Sequence, residues 1–491
     1  MTWSRTALWL AIMLMVLSNP VNARRRRSRN RGGRSRSQER QQWSMPQMLQ
    51  GQVPEQGETT DLWLPVQFVQ TQQHPLYENP WLPQLAANLP RDTWAPIEIE
   101  QTQQRIPWFE QRPQTNNCTF HYKSVPREHI HPFLVDTERK KLIYPDIVRG
   151  QQIVTLTSGT TFLASCPGTG NYLVRNNRPR VYITCKNSQL YRDRNPVSWE
   201  DLGCYKKVKP TLKSGRSCGK DSSMYYIGWN IRRNLYLRQI SVCFNTTLET
   251  TVFVSHTIHG RFIDAKVVEP SRPSFKSASM FSVSPNRSYR KAKQVEIASQ
   301  NLRSLDELSG KGQHFLARGH LAPDADFVLE AEQDATYYYI NAVPQWQAVN
   351  NGNWRSLESS VREMAEKREA TLNVYTGTHG ILKLPDMNSR PTKMFLSGEM
   401  VPVPALMWKV IHNPAEHTAV AIVMVNDVKE RPSSGPWSSR YPVCSDVCSQ
   451  LVWVDWQVND VTEGQTFCCT VDELHSTIPD LPRLGPVGLL V

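Results

Sequence analysis

The stretch Asn350–Arg362, which reads NNGNWRSLESSVR, decides the fold. It opens a predicted helix from Asn353 to about Ala370, because apolar residues recur at helical spacing and form one stripe. The residues of that stripe are Trp354, Leu357, Val361, Met364 and Ala365. Glu358 and Arg362 lie one turn apart beside it. If Asn350 is also helical, it lies two turns from Glu358 and about 80° round, so that both face one cleft.

Two further motifs precede this stretch. Arg318-Gly319-His320 lies within Ala317–Asp326, and Asn341-Ala342-Val343-Pro344-Gln345 begins 21 residues after the histidine. Each motif alone has a simpler interpretation, such as a turn glycine beside a core histidine. Together they supply a histidine, two arginines, a carboxylate and several amides. Hydrolysis of a phosphodiester needs such a set, because it requires a base for water, oxygen ligands for a hard cation and positive charge for the phosphorane.

The order of these motifs closely resembles the DNA/RNA non-specific endonuclease family, which includes bacterial secreted nucleases and mitochondrial endonuclease G. The family pattern is Asp-Arg-Gly-His, then Asn-x-x-Pro-Gln, then Asn-x-Gly-x-Trp-x-x-Leu-Glu with an arginine one turn on. The sequence follows this pattern except that Ala317 replaces the leading aspartate. The resemblance implies an α+β fold, with a ββα-metal (His-Me finger) nuclease core and a central antiparallel sheet. The region before this core is expected to be disulfide-rich and mainly β.

The resemblance also implies a role for each residue of the site. The expected catalytic residues are His320, Arg318, Glu358, Arg362 and Asn341. His320 would be the general base, Glu358 would orient metal-bound water, and the two arginines would contact the phosphate. Asn341 would help to fix the cleft, and Asn350 would be the sole protein ligand of one Mg²⁺, with Mn²⁺ able to substitute. The expected products carry 5′-phosphate and 3′-hydroxyl ends.

Three further residues are candidates for nucleic-acid binding: Arg272, Gln345 and Arg355. Arg272 lies upstream of the histidine, where the family has another phosphate-binding arginine. The replacement of the aspartate by Ala317 removes neither the base nor the metal ligand. It removes instead a side chain that would support the Arg-Gly-His segment. The reaction rate and the pH optimum are therefore expected to differ from those of the family.

The sequence divides into four parts. Residues 1–23 form a predicted signal peptide, because Arg5 precedes an apolar run too short to span a bilayer and small residues follow it. Residues 24–105 are arginine-rich, then rich in Gln and Pro, and are interpreted as a linker or pro-segment. Residues 106–247 are predicted to form a Cys-rich, β-rich N-terminal domain, and residues 248–491 the endonuclease domain.

Short β-rich runs are predicted through the last two parts. The strand candidates are 153–157, 180–185, 235–244, 251–256, 337–341, 371–376, 406–411, 418–425 and 451–456. No catalytic constellation is evident before residue 248. The default role of the N-terminal domain is therefore structural or substrate-positioning.

The charge of the chain is concentrated near its start. The 491 residues carry a net charge of +13, of which residues 24–40 contribute +8 through nine arginines and one glutamate. Three interpretations of this tract stay open: polyanion binding, a basic processing site at Arg24–Arg27, and a solvated tail. The composition excludes a collagen, a coiled coil and a multi-span membrane protein.

Ten cysteines in an exported chain predict disulfides. Six lie between Cys118 and Cys243 and four between Cys444 and Cys469, so each group is expected to close within itself. A zinc site in the second group is the less favoured alternative. Candidate glycosylation sequons begin at Asn117, Asn245 and Asn286.

These features together predict a secreted, Mg²⁺-dependent endonuclease that hydrolyses DNA, RNA or both with little sequence specificity. The alternative is a catalytically weakened or inactive secreted protein that binds polyanions on a nuclease fold. No stable membrane association is expected. The oligomeric state stays open, with a homodimer among the options.

Overall fold

The computed structural model describes residues 116–126, 128–267, 272–304, 308–428, 441, 443–458 and 460–491. All of them belong to one unit that spans Arg105–Val491. The predicted signal peptide at residues 1–23 and the linker at 24–105 lie outside the described residues. None of the helices in the described ranges combines the length and apolar character that crossing a membrane requires.

The first part of the described chain is built from nine short strands. They are β1 (Cys118–His121), β2 (Phe133–Asp136), β3 (Lys141–Leu142), β4 (Asp146–Val148), β5 (Gln151–Leu156), β6 (Thr161–Ser165), β7 (Arg180–Lys186), β8 (Gln189–Arg192) and β9 (Asn195–Val197). They form a three-stranded sheet in the order β1-β5-β4 and a six-stranded sheet in the order β3-β2-β6-β7-β8-β9. All neighbouring strands in both sheets are antiparallel.

The remaining elements alternate long strands with a few helices. In chain order they are β10 (Thr211–Gly219), β11 (Ser222–Arg232), β12 (Leu235–Asn245), β13 (Thr250–His259), α1 (Gly260–Ile263), α2 (Pro285–Ser288), α3 (Lys291–Asn301), β14 (Leu316–His320), α4 (Glu330–Ala335), β15 (Ala342–Trp346), α5 (Gln347–Asn351), α6 (Asn353–Lys367), β16 (Thr371–Ile381), β17 (Lys383–Pro385), β18 (Pro391–Lys393), β19 (Phe395–Ser397), β20 (Met400–Pro402), β21 (Pro404–Asn413), β22 (Thr418–Val425), β23 (Thr466–Cys469), α7 (Val471–Thr477) and β24 (Gly488–Leu489). Short 3₁₀ helices span Tyr122–Ser124, Trp199–Leu202, Asp324–Asp326, Tyr339–Asn341 and Cys448–Gln450.

A central sheet of nine strands organises this part. Its order is β10-β11-β12-β13-β16-β21-β22-β23, and β24 adds to β22 as the one parallel pair. Helix α6 covers one face through Leu357 and Val361, whereas α7 covers the other face through Leu474. Because β22 is covered on both faces, its sequence is a continuous apolar run rather than an alternating one.

Helix α6 confirms the predicted apolar stripe and the predicted start at Asn353. All five stripe residues are buried. Asn350 belongs to the separate helix α5, because the backbone breaks at Gly352 with φ −86° and ψ −128°. A Cβ at Gly352 would lie 2.8 Å from the Glu463 backbone, so only glycine allows this close approach. The two-turn relation between Asn350 and Glu358 requires both residues in one helix, so it does not apply.

Two of the predicted strands were also wrong. Residues 337–341 end in the 3₁₀ turn Tyr339–Asn341, because the Asn341 side chain bonds the backbone of Ala322 and Thr336. Residues 451–456 form no strand, since Thr466–Cys469 is the segment that pairs with β22 on that side. The other strand candidates are present with their ends moved by a few residues.

The disulfides confirm the cysteine prediction. The bonds are Cys118–Cys185, Cys166–Cys204, Cys218–Cys243, Cys444–Cys469 and Cys448–Cys468. Each cysteine group therefore closes within itself. Asp446 lies beside Cys448 and Cys468 in an arrangement that could hold a metal, but both sulfurs are consumed by a disulfide. The zinc alternative consequently has no thiolate ligands.

The described chain is mostly β with few helices, and its main sheet is antiparallel. The proposed boundary at residues 247/248 falls between β12 and β13, which pair within the central sheet from Ser241↔Ser255 to Asn245↔Thr250. The division into N-terminal and endonuclease domains stays a prediction, and any such division would share one sheet.

The Cys118–Cys185 bond gives a stability prediction. It closes a loop with a sequence separation of 67 residues and joins β1 to β7, which lie in different sheets. In the chain-entropy description, replacing both cysteines by alanine should lower the free energy of unfolding by about 4 kcal/mol. Urea denaturation of the double variant and the parent chain, each with its remaining disulfides verified by mass spectrometry, measures this difference. An unchanged midpoint would contradict it.

Candidate active site

An antiparallel ribbon of β14 and β15 presents the Arg-Gly-His motif. Arg318 and His320 point to the same face, because they are two residues apart on one strand. Gly319 is required between them, since a Cβ there would lie 2.7 Å from the Gln345 Cβ on β15. The ribbon leads directly into α5 and α6, so that three motifs meet at one place.

The imidazole of His320 is neutral at neutral pH. It packs against the rings of Phe275, at 4.9 Å between centroids, and Tyr337, at 5.0 Å. Burial lowers the pKa of His320 to about 4; Asp324 opposes this effect and Arg272 adds to it. Its Nε2 is buried and has no hydrogen-bond partner in the described part of the chain. A neutral imidazole of this kind can accept a proton.

Asp324 is the carboxylate that acts on this histidine. It accepts a hydrogen bond of 2.6 Å from the Tyr337 hydroxyl and lies 3.9 Å from the Arg272 guanidinium. Its charge also raises the pKa of Glu358 on α6. Asp324 is thus electrostatically coupled to both His320 and Glu358, which places these two residues in one cluster. Ala317, by contrast, faces Gln345 across the ribbon.

Arg318 is held by aromatic side chains. Its Nε donates to the Tyr339 hydroxyl at 3.0 Å, and its guanidinium lies 5.5 Å from the Tyr289 ring centroid and 5.9 Å from that of Phe275. One terminal nitrogen donates to Asn286 Oδ1 at 3.4 Å. No carboxylate in the described residues forms an ion pair with Arg318, so its charge is available to an anion.

Arg362 is paired with a buried carboxylate. It donates to Asp326 Oδ1 at 2.8 Å, and His256 Nε2 lies 2.8 Å from Asp326 Oδ2. Burial alone would raise the pKa of Asp326, but the hydrogen bond from His256 and the charge of Arg362 lower it to about 2. Burial also lowers the pKa of His256, which is therefore the neutral donor to an ionised Asp326.

Glu358 lies above a buried lysine. Burial raises the pKa of its carboxyl to about 7, against the positive charge of Lys409. The Lys409 side chain is 1% exposed; its ammonium donates to Thr376 Oγ1 at 2.7 Å and lies 4.9 Å from the Trp354 ring centroid. The first turns of α6 therefore pack over Lys409, a buried cation on strand β21 of the central sheet.

The predicted amides separate into two kinds. Asn341 is fully buried and bonded to backbone groups of Ala322 and Thr336, so it fixes the loop after His320 and cannot touch substrate. Asn350 is partly exposed, and its side chain makes no hydrogen bond to any described residue. It is thus the amide of this set that is open to a ligand.

The structure places the three additional binding candidates differently. Arg272 is 82% exposed and lies beside Asp324, near the histidine. Arg355 is exposed on α6. Gln345 is fully buried within the ribbon, so it is not presented to nucleic acid. The sequon residues Asn245 and Asn286 both use Oδ1 as an acceptor, and glycosylation stays a prediction for all three sequons.

Three residues of this cluster were missed from the sequence: His256, Asp326 and Lys409. Lys409 carried a usable signal, because it interrupts the apolar run from Leu406 to Ile411, and a buried cation needs a partner. Asp326 was quoted within a motif but given no role. His256 had no signal, since a single histidine in a strand is uninformative.

The chain is similar to a known protein family and to several known proteins. Residues 222–474 match the model of the DNA/RNA non-specific endonuclease family. The "Salivary endonuclease" of Lutzomyia longipalpis is 26% identical over 331 residues, which cover 65% of this chain and 73% of that protein. The "Salivary endonuclease" of Culex quinquefasciatus is 27% identical over 67% of this chain and 86% of that protein.

A further relative and one solved structure are also similar to this chain. "Salivary protein Tsal2A" of Glossina morsitans morsitans is 23% identical over 70% of this chain and 86% of that protein. A chain in a crystal structure of the EndoG/EndoGI complex is 19% identical, with a TM-score of 0.28, over 40% of this chain and 75% of that chain.

The buried ion pair gives a prediction with a control on the same helix. Arg362→Met should lower the free energy of unfolding by about 3 kcal/mol, because Asp326 would keep a buried charge with only a neutral histidine as partner. Arg355→Met, on the exposed side of α6, should change it by less than about 0.5 kcal/mol. Chemical denaturation at neutral pH compares the two, and equal effects would count against the pairing.

Proposed function

Because this chain belongs to the DNA/RNA non-specific endonuclease family, we propose that it is a secreted, metal-dependent endonuclease that hydrolyses phosphodiester bonds of DNA, RNA or both. The observation that carries the proposal is the neutral, buried His320 beside the guanidinium of Arg318, which forms no ion pair with a described carboxylate. The ribbon β14–β15 and helix α6 would form the ββα-metal core. The predicted signal peptide and five disulfides support export.

His320 would act as the general base. With Nε2 enclosed by the protein, we assign the proton-accepting role to Nδ1, which would take the proton of the attacking water. Arg318 would bind a phosphate oxygen, since its guanidinium is oriented by the Tyr339 hydroxyl. Arg362 is bonded to Asp326, so it would contribute positive charge to the cleft while it anchors α6.

The residues present fit a hard divalent cation. The Asn350 amide and the Glu358 carboxylate supply oxygen atoms, and neither side chain makes a hydrogen bond to a described residue. Asn350 would hold Mg²⁺ or Mn²⁺ directly, and Glu358 would orient the water around it. When bound, the cation would supply positive charge to the developing phosphorane.

Digestion of nucleic acid tests this function. The full chain should cut plasmid DNA or double-stranded RNA in Mg²⁺ and stop in EDTA. His320→Ala should lower kcat by a factor of about 10² to 10⁴. His475→Ala is the control, because this residue lies on α7 at the opposite face of the central sheet. Intact substrates with the wild-type chain would leave only polyanion binding, whereas equal cutting by His320→Ala would rule out His320 as the general base.

The two shifted pKa values give a pH prediction. His320 stays neutral above about pH 4, whereas Glu358 becomes ionised as the pH rises through about 7. Mg²⁺ affinity should therefore increase roughly tenfold between about pH 6 and pH 8, as the carboxylate loses its proton. Calorimetric titration measures this directly. Glu358→Gln cannot ionise and should show a nearly constant affinity; a slope that persists in this variant would assign the effect to another group.

A further inference from the structure

The central sheet splits open beside the candidate site. Strand β12 pairs with β13 only from Ser241 to Asn245, while its earlier residues pair with β11 alone. The later residues of β13, up to His259, pair only with β16. The gap between β12 and β13 forms a cavity of about 870 Å³. We call it the split-sheet groove.

The split-sheet groove shares a wall with the candidate active site. The segment from Asp324 to Val328 directs Asp324 toward His320 and Tyr337, whereas Asp326, Phe327 and Val328 line the groove. A chain bound in the groove would therefore contact the same segment that directs Asp324 toward the catalytic histidine.

The exposed charge of the groove is positive. Lys140, Lys141 and Arg238 line it with exposed side chains. Its two acidic residues are both buried and engaged. Asp326 is bonded to Arg362 and His256, and Glu332 accepts hydrogen bonds from the Tyr144 hydroxyl and the Leu329 amide. The groove thus offers its cations to an anionic ligand.

The walls of the groove are aromatic. Tyr144, Tyr226 and Tyr236 line it and are partly exposed. The Arg238 guanidinium lies 5.2 Å from the Tyr226 ring centroid, so that cation and ring form one surface. The Tyr236 hydroxyl donates to the Tyr226 backbone carbonyl at 2.7 Å, which orients the Tyr236 ring.

Two polar atoms of the lining are unsatisfied. The indole Nε1 of Trp229, a residue 1% exposed, and Oε1 of Gln239 are buried without hydrogen-bond partners in the described ranges. A buried donor or acceptor left unpaired costs free energy. Because neither atom is accessible in this conformation, the edge of a nucleobase would satisfy them only after the side chains turn toward the groove.

We propose that the split-sheet groove is a second nucleic-acid-binding site, which holds an unpaired stretch of polynucleotide beside the cleavage site. Bases would stack on the tyrosines, and phosphates would contact Lys140, Lys141 and Arg238. An unpaired strand fits better than a duplex, because stacking on a side chain requires a base free of its neighbours. This inference rests on the proposed function, because it assigns a binding site to the substrate of that function.

Photo-crosslinking tests the site in the full chain carrying His320→Ala, in EDTA. The probe is single-stranded DNA with 5-iodo-2′-deoxyuridine in place of thymidine, which crosslinks to nearby aromatic side chains. Mass spectrometry should locate crosslinks at Tyr144, Tyr226 or Tyr236, and the same probe as a duplex should give far fewer there. Crosslinks confined to other segments, or equal yields from the duplex, would overturn the proposal.

Matched charge reversals provide a second measurement. Lys140→Glu with Lys141→Glu should raise the Kd for the single-stranded probe about tenfold at physiological salt. Lys383→Glu with Lys393→Glu changes the net charge equally on the exposed pair β17–β18, and should change Kd by less than about twofold. Equal effects of the two double variants would overturn the site.

The two proposals fail in different ways. If the nuclease function is wrong, the wild-type chain leaves plasmid uncut while crosslinks still map to the groove. If the groove is wrong, plasmid is cut and no crosslink maps there. Cleavage of bis(p-nitrophenyl) phosphate, too short to reach the groove, should be unchanged in the Lys140/Lys141 variant. A parallel loss of that activity would mean that the two lysines act on the active site itself, which would overturn a separate groove site.

Discussion

The arrangement of the candidate site depends on one buried carboxylate. Asp326 joins three separate elements, because it lies just after the His320 strand, bonds Arg362 on α6 and accepts from His256 on β13. A buried charge is tolerated only where partners satisfy it, and here each carboxylate oxygen has one. The ribbon, the helix and the sheet are thereby fixed to a common point, which positions the candidate catalytic side chains.

Buried amides extend this rigidity to the backbone. Asn353 bonds Gln457 and Gly464 at the start of α6, and Asn426 bonds Trp346 and Pro404 at the end of the ribbon. Each side chain satisfies backbone groups that would otherwise be buried without partners. The asparagine-rich appearance of the motif region thus has two causes. One asparagine, Asn350, is available for chemistry, and others hold irregular backbone in place.

The sequence predicted those parts of the structure that follow from local pattern. The stripe of α6 and the apolar run of Thr418–Val425 were recognisable, because periodicity and burial leave a direct mark on residue type. The resemblance supplied His320, Glu358 and Asn350 as a set. The start of α6 at Asn353 was predicted, but the separate helix α5 before Gly352 was not, because the contact of Gly352 with Glu463, more than a hundred residues away, leaves no mark on the sequence.

Lys409 and His256 escaped prediction for a similar reason. Their importance arises from pairing between distant strands and from burial under α6. Nothing in the sequence signals this for His256, whereas Lys409 interrupts an apolar run and was overlooked. Gln345 shows the opposite error, because a motif residue was assumed to face substrate although the ribbon encloses it. Tertiary contacts therefore decide which residues of a motif are accessible to a ligand and which residues stabilise the fold.

The adjacent residues Cys468 and Cys469 have a consequence for how the sheet is assembled. Consecutive residues of a strand face opposite sides, and the two sulfurs accordingly join Cys448 in the core under α6 and Cys444 in the core under α7. A slip of β23 by one residue would exchange the two faces and bring each sulfur to the wrong partner. The two bonds therefore fix the register of β23 covalently, because only the observed register brings both sulfurs to their partners.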